Sequence, residues 1–422
     1  MHSFYRWLRT MNNIMKAIGI FRHSLWSRSV LILVMLSITK ACLGATREAS
    51  CDIQGSFVKA TALLDNKNYK HASIILDQIR ACQNLSPIDT FNLAWLYGRS
   101  HNFNTALNIL RSVSPDIPNR VTHGYAIALT KFELGDFKGT VKTLTDLRSR
   151  ATLDTRCINL LGVTYSKLGL YQDAYSQFAE ELNRNPTSLF AYLNLVTLFS
   201  DIGQFQNALD VANKAVIALP DNSEVYVVRG TINMYIGHLE KADDDFANAI
   251  KMSPSLEEPR FLLALSSYKR GDFMSAQSQL KQAISSGIAG SDLHYLLAEC
   301  LLKTDSANPH EAVVELDRAI DINPHSIPAR NLRGRLLLEE GKDDRAIVDL
   351  KIVLQAKPNS RSGLYNLARA YSALGNKEKA KLLYTRLSKL EEDYHASTTN
   401  DDSLNDLSKQ RMKEALTGGD AQ

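Results

Sequence analysis

The sequence predicts an all-α solenoid of paired helices, and three observations predict it. After residue 50 the chain resembles itself every 34 residues. Two columns of that repeat hold almost nothing larger than alanine, and glycine and proline recur at fixed offsets between them. The copies begin at Ile53, Pro87, Val121, Thr155, Leu189, Ser223, Glu257 and Ser291, then, after a two-residue insertion near Ser306-Ala307, at Ile327 and Arg361. Ten copies cover residues 53–394, with residues 1–45 as a leader and 395–422 as a polar tail.

Each element follows from a packing requirement. The eighth residue of each copy is Ala60, Ala94, Ala128, Gly162, Val196, Gly230, Ala264, Ala298, Gly334 and Ala368. The twentieth is Ala72, Ala106, Thr140, Ala174, Ala208, Ala242, Ala276, Ala312, Ala346 and Ala380. Antiparallel helices pack about 8–10 Å apart, and their closest approach tolerates little more than a methyl group. These columns therefore mark where the first and second helix of a copy meet. Larger residues such as Tyr165, Phe178, Phe199, Phe246 and Tyr384 fill the space between consecutive pairs. Gly135, Gly169, Gly203, Gly237, Gly271, Gly341 and Gly375 stand at the fifteenth position, where the first helix must end in a left-handed residue. Pro118, Pro186, Pro220, Pro254, Pro324 and Pro358 follow the second helix and stop it.

The copy at residues 155–188 reads Ile158, Leu161, Gly162, Tyr165, Gly169, Tyr171, Ala174, Phe178 and Pro186. That spacing resembles the tetratricopeptide repeat. The resemblance implies a right-handed superhelix whose first helices line the concave side, and a non-enzymatic role in binding other proteins. It also implies that the fifth and ninth residues of each first helix face the groove. Candidate partner-binding residues on that rule are Phe57, Phe91, Tyr125, Phe261, Tyr295 and Tyr365 at fifth positions and Trp95 at a ninth. Rings of this kind suit a partner segment that is apolar or rich in aromatics; equally, they could be partly covered by the next helix and only tighten the stack. Copies four to six lack a groove ring, so two docking regions, within 46–188 and 257–394, would grip one partner twice. The carboxylate clamp of some family members needs Lys and Arg around groove asparagines; Asn92, Asn194 and Asn366 lack that set.

The chain carries 49 basic and 45 acidic residues, a net charge of +4 that is too weak and dispersed for a nucleic-acid partner. Six basic residues (Arg6, Arg9, Lys16, Arg22, Arg28 and Lys40) and no acid lie in residues 1–45, so losing that stretch turns the net charge to −2. The apolar run Val30–Ile38 is about 14 Å long as a helix, roughly half a bilayer core. A basic flank, a short apolar core and small residues at Gly44 and Ala45 fit a cleaved secretory signal, giving a periplasmic or secreted protein. A retained membrane anchor and an organelle transit peptide are the alternatives. With export, the expected role is organising a bacterial cell-envelope complex; the rivals are an adaptor in an intracellular or organellar complex and an auxiliary subunit of a separate synthase.

Of five cysteines, Cys51 and Cys82 flank the first helix pair, whose antiparallel ends allow a disulfide; the other reading is two unrelated thiols. Such a bridge would stabilise the terminal pair by about 2–4 kcal/mol. Cys157 and Cys300 read as small buried apolar residues. No Cys/His spacing suits zinc, and no phosphate loop, zincin or nucleophile-elbow motif occurs, so neither metal, cofactor nor intrinsic catalysis is expected. The acidic run Asp243-Asp244-Asp245 reads as a solvated convex face, and His310-Glu311 as part of the inserted turn of copy eight, capping or solvating a loop. In the tail, Leu404, Leu407 and Met412 fit a short capping helix or no fixed structure.

Overall fold

The computed structural model describes residues 52–82, 84–288, 290–304 and 308–392. The leader, the tail, Cys51 and the insertion at Ser306-Ala307 lie outside them. The described chain forms helix pairs only, in two units that meet in sequence between Pro220 and Asp221. The first unit contains α1 (Ile53–Asp65), α2 (Tyr69–Ala81), α3 (Pro87–Arg99), α4 (Phe103–Ser112), α5 (Arg120–Glu133), α6 (Phe137–Arg148), α7 (Thr155–Lys167), α8 (Tyr171–Arg184), α9 (Leu189–Asp201) and α10 (Phe205–Ala218). The second contains α11 (Ser223–Tyr235), α12 (Leu239–Met252), α13 (Glu257–Lys269), α14 (Phe273–Ser285), α15 (Ser291–Leu301), α16 (Pro309–Ile322), α17 (Ile327–Glu339), α18 (Asp343–Ala356), α19 (Arg361–Ala373) and α20, over 377–392. Every first helix starts at the expected residue except α5, which begins one earlier, at Arg120.

Short polar side chains start many of these helices by accepting a backbone N–H of the first turn. Asp52 takes that of Gly55, Asp136 that of Gly139, Asp154 that of Cys157 and Asp272 that of Ser275. The fifteenth position ends the first helices as expected: Gly135, Gly169 and Gly203 have φ of +78°, +73° and +77°. In the first two copies the same turn is made by Lys67 and His101, at +57° and +63°. His310 and Glu311 are not in a loop. They belong to the first turn of α16, where the Asn308 side chain accepts the Glu311 N–H.

The two small-residue columns meet as predicted. Ala72, Ala106, Ala174, Ala208, Ala242, Ala276, Ala312 and Ala346 are fully buried. A Cβ added at Gly162 would lie 2.5 Å from the Phe178 ring, and one at Gly230 2.7 Å from the Phe246 ring. In copies one to seven the eighth and twenty-fourth positions are matched in size, whereas copy nine sets Gly334 against Leu350. Glycine at 162 and 230 opposes Phe178 and Phe246, alanine at 60, 94, 128 and 264 opposes Leu76, Leu110, Leu144 and Leu280, and Val196 opposes Ala212. All of these residues are buried.

A buried carboxylate overturns the reading of Asp243-Asp244-Asp245 as a solvated run. Asp245 is 2% exposed; it accepts from Arg229 at 2.6 Å and from the Asn233 amide at 3.1 Å. Asp243 is paired with Arg270, leaving Asp244 as the exposed member of the run. Copy nine repeats the arrangement: Asp349, 1% exposed, accepts from Arg333 at 2.7 Å and from Arg330 at 2.6 Å. The guanidinium comes from the first helix and the carboxylate from the second, so the pair ties one copy together.

Glu181, in α8, is a different case. It is fully buried, and neither carboxylate oxygen has a hydrogen-bond partner. The equivalent residue in the next four copies is alanine: Ala215, Ala249, Ala283 and Ala319. A buried polar group without partners costs about 1–3 kcal/mol. Glu181→Ala is therefore expected to raise the urea midpoint by a comparable stabilisation; a lowered midpoint would mean that the carboxylate is satisfied.

Candidate protein-binding face

Consecutive first helices touch one another directly: α1 with α3, α5 with α7 and α7 with α9 in the first unit, and α11 with α13, α13 with α15 and α17 with α19 in the second. No two second helices from α2 to α18 approach as closely. The first helices therefore form the inner row of each unit. On that row the second, fifth and ninth residues lie three or four apart and share one face.

The seven rings expected on this face divide by depth. Phe57, Phe91, Trp95 and Tyr125 are buried, Tyr125 to 1% exposure. Trp95 packs at 6.5 Å from Tyr125, and the Arg156 guanidinium of the next copy covers the Tyr125 ring at 5.0 Å. Burial pushes the Tyr125 hydroxyl up from its ordinary value. These four rings tighten the stack in the first unit. In the second unit Phe261 and Tyr295 are half-buried and Tyr365 is 48% exposed, with Arg369 over its ring at 5.8 Å. At second positions on the inner row of the first unit the accessible apolar side chains are Ile88 and Phe190. The signal for them was one helical turn upstream of the fifth position, on the same face. Groove asparagines serve the stack instead: Asn366 is buried, and Asn194 reaches Asn159 at 3.5 Å.

The inner row of α11, α13 and α15 carries charge as well as rings. The Tyr268 and Tyr295 hydroxyls both donate to Glu299, each at 2.9 Å and to separate oxygens. Second positions here are Glu224, Glu258 and Asp292. Burial, followed by the charge of Glu224, pushes the Glu258 carboxyl up to about 7. Lys269, at the far end of α13, is pulled down to about 8 by burial. This acidic, tyrosine-bearing stretch contrasts with the first unit, whose second positions are Gln54, Ile88, Thr122, Arg156 and Phe190.

Cys82 is disulfide-bonded; the expected partner, Cys51, lies outside the described residues. Cys157 and Cys300 are free and buried, and burial pushes both thiols well up from the ordinary range. Among the described residues no group of His, Cys, Asp and Glu is arranged to hold a metal, and no helix is long and apolar enough to cross a membrane.

Two tetratricopeptide repeat family models match the chain, over residues 362–394 and 261–327. Over 234 residues it is 26% identical to the DnaJ homolog subfamily C member 3 of Mus musculus, a match covering 56% of this chain and 42% of that protein. Over 209 residues it is 22% identical to the BBSome complex member BBS4 of Bos taurus, covering 50% and 40%. The chain thus spans about two-fifths of the length of these curated relatives. A solved tetratricopeptide repeat protein from Parabacteroides merdae shares 17% identity with it at a TM-score of 0.44, covering 64% of this chain and 98% of that one. The 34-residue period, the matched columns of small residues and the two family models together show that this chain carries tetratricopeptide repeats, folded as an all-α solenoid.

Proposed function

We propose that this protein is a non-enzymatic scaffold that collects protein partners on the inner rows of its first helices, in an oxidising compartment reached through its basic, apolar leader. The observation that carries the binding reading is the inner row itself, a face of first helices that keeps Ile88, Phe190 and Tyr365 between 43% and 48% exposed. Rings and aliphatic side chains held on rigid helices suit protein partners, and no enzyme family is indicated by the family matches. The disulfide at Cys82 supports the compartment, because such bonds persist where thiols are not kept reduced. Organising a bacterial envelope complex is one task for such a scaffold; the relatives from mouse and cow do not single it out, and an adaptor in an organelle lumen suits the same features.

A photo-crosslinking residue placed in turn at Ile88, Phe190 and Tyr365 should capture other proteins in the native cell. The same residue at Ile217 or Val348, exposed on second helices, should not. Capture from the second helices alone would remove the inner row from the proposal. Sequencing of the mature N-terminus tests the address: a chain still carrying residues 1–45 in the cytosol would defeat it.

A further inference from the structure

One cavity in the first unit breaks the repeat that surrounds it. It lies between the C-terminal turns of α6 and α8 and the linker that joins α6 to α7, has a volume of about 420 Å³ and opens to solvent. Arg148 ends α6 at a position that copies four to nine fill with Leu182, Val216, Ile250, Ile284, Ile320 and Leu354, all buried or half-buried. Thr152 stands in the linker where six other copies have proline, so a backbone N–H and a hydroxyl take the place of an apolar ring. A copy that followed the rule would plug this space with an aliphatic side chain, whereas copy three rims it with hydrogen-bond donors.

The rim is basic. Arg148, Arg150 and Arg184 line the cavity with a single acid, Glu180, and three guanidiniums against one carboxylate leave a net charge of +2. Glu180 accepts from Arg184 at 2.6 Å and from Arg148 at 3.1 Å, so the spacing of those two guanidiniums already suits a carboxylate. Their other bonds go to the Leu153 carbonyl and the Gln177 side chain. A guanidinium has five N–H groups, so both keep donors to spare. The exposed Arg150 side chain has no hydrogen bond or ion pair among the described residues. Asp154 and Arg156, next along the chain, pair with each other and add no net charge. Guanidiniums as exposed as Arg148 and Arg184, at 38% and 46%, hold a small free anion weakly because water competes for it. An anion carried on a chain that is also held elsewhere on the scaffold is a different case, since the second contact is then intramolecular. The occupant that suits this rim is therefore a segment of a protein.

We propose that the cavity between α6 and α8 docks an acidic segment of a protein partner, with neighbouring carboxylates seated on Arg148, Arg150 and Arg184. The inference rests on the scaffold reading given above and adds a second contact, at the ends of second helices and away from the inner row. Fluorescence anisotropy of the full chain at low ionic strength measures it, using a labelled peptide with Glu-Asp-Glu-Asp between Gly-Ser flanks. That peptide should bind about fivefold more tightly than its Gln-Asn-Gln-Asn counterpart. Arg150→Gln, which breaks no contact within the fold, should lose about threefold of that preference, and Glu180→Gln, which withdraws the competing carboxylate, should increase it. A purely structural role for the cluster does not predict opposite signs. Lys59→Gln, an equal change of charge on α1, should alter nothing. Equal binding of the two peptides, no loss at Arg150→Gln, no gain at Glu180→Gln or an equal loss at Lys59→Gln would overturn the inference. So would inorganic phosphate displacing the peptide at equal concentration, since a free anion would then suffice. Crosslinking at Ile88, Phe190 and Tyr365 tests the scaffold separately: capture there without a peptide preference leaves the scaffold standing and removes this site.

Discussion

Phe178→Ala is expected to cost about 3–5 kcal/mol, the range for emptying a fully buried ring position. Gly162→Val, which would force two methyl groups into space where a Cβ alone meets the ring at 2.5 Å, is expected to cost about 1–3 kcal/mol. Made together, the two substitutions should cost far less than their sum, because copy five is already built that way, with Val196 opposite Ala212. The coupling between neighbours that share one volume is of order 0.5–3 kcal/mol. Urea midpoints of the four proteins measure it. An additive double variant would show that the matched sizes in these two columns do not act as a pair.

Arg229→Met should be about as damaging, at roughly 3–5 kcal/mol, because it leaves the Asp245 carboxylate buried with only the Asn233 amide as a hydrogen-bond partner. Arg229→Met/Asp245→Leu removes both charges and fills the space with apolar atoms, and should recover most of the loss or exceed the parent in stability. Thermal unfolding of the three proteins distinguishes this from the alternative. If the double variant is no better than the single one, the pair contributes net stability beyond avoiding an orphaned charge. Arg333 and Asp349 offer the same comparison in copy nine, where Arg330 also holds the carboxylate and should blunt the single substitution.

The helix positions were legible because they rest on local rules. A left-handed turn at Gly135 needs no information from elsewhere in the chain, and an alanine at a helix crossing excludes larger residues whatever surrounds it. Depth was not legible. Phe91 and Tyr125 sit on the predicted face, but the distance to the next first helix decides whether a ring there is covered, and that spacing is a tertiary quantity. Asp245 misled for a related reason. A run of three acids looks solvated until the guanidinium sixteen residues earlier is known to point at it. The tyrosine clamp on Glu299 was hidden in the same way, since Tyr268 lies 31 residues from it.

Tandem modules of nearly equal shape carry a hazard in a newly made chain: a helix can settle against the wrong neighbour before its own arrives. Arg229 discriminates against this. The residue that answers it in α12 is Asp245, whereas the corresponding residues of α10 and α14 are Val211 and Gln279. A guanidinium closed in against valine loses its counter-charge, and one against glutamine gains only a neutral partner. Phe178 discriminates by bulk, since it fits opposite Gly162 and would collide with Val196. The irregular copies thus act as address labels, marking which helices of an otherwise monotonous array are meant to mate, and erasing them should leave a protein prone to misassembly.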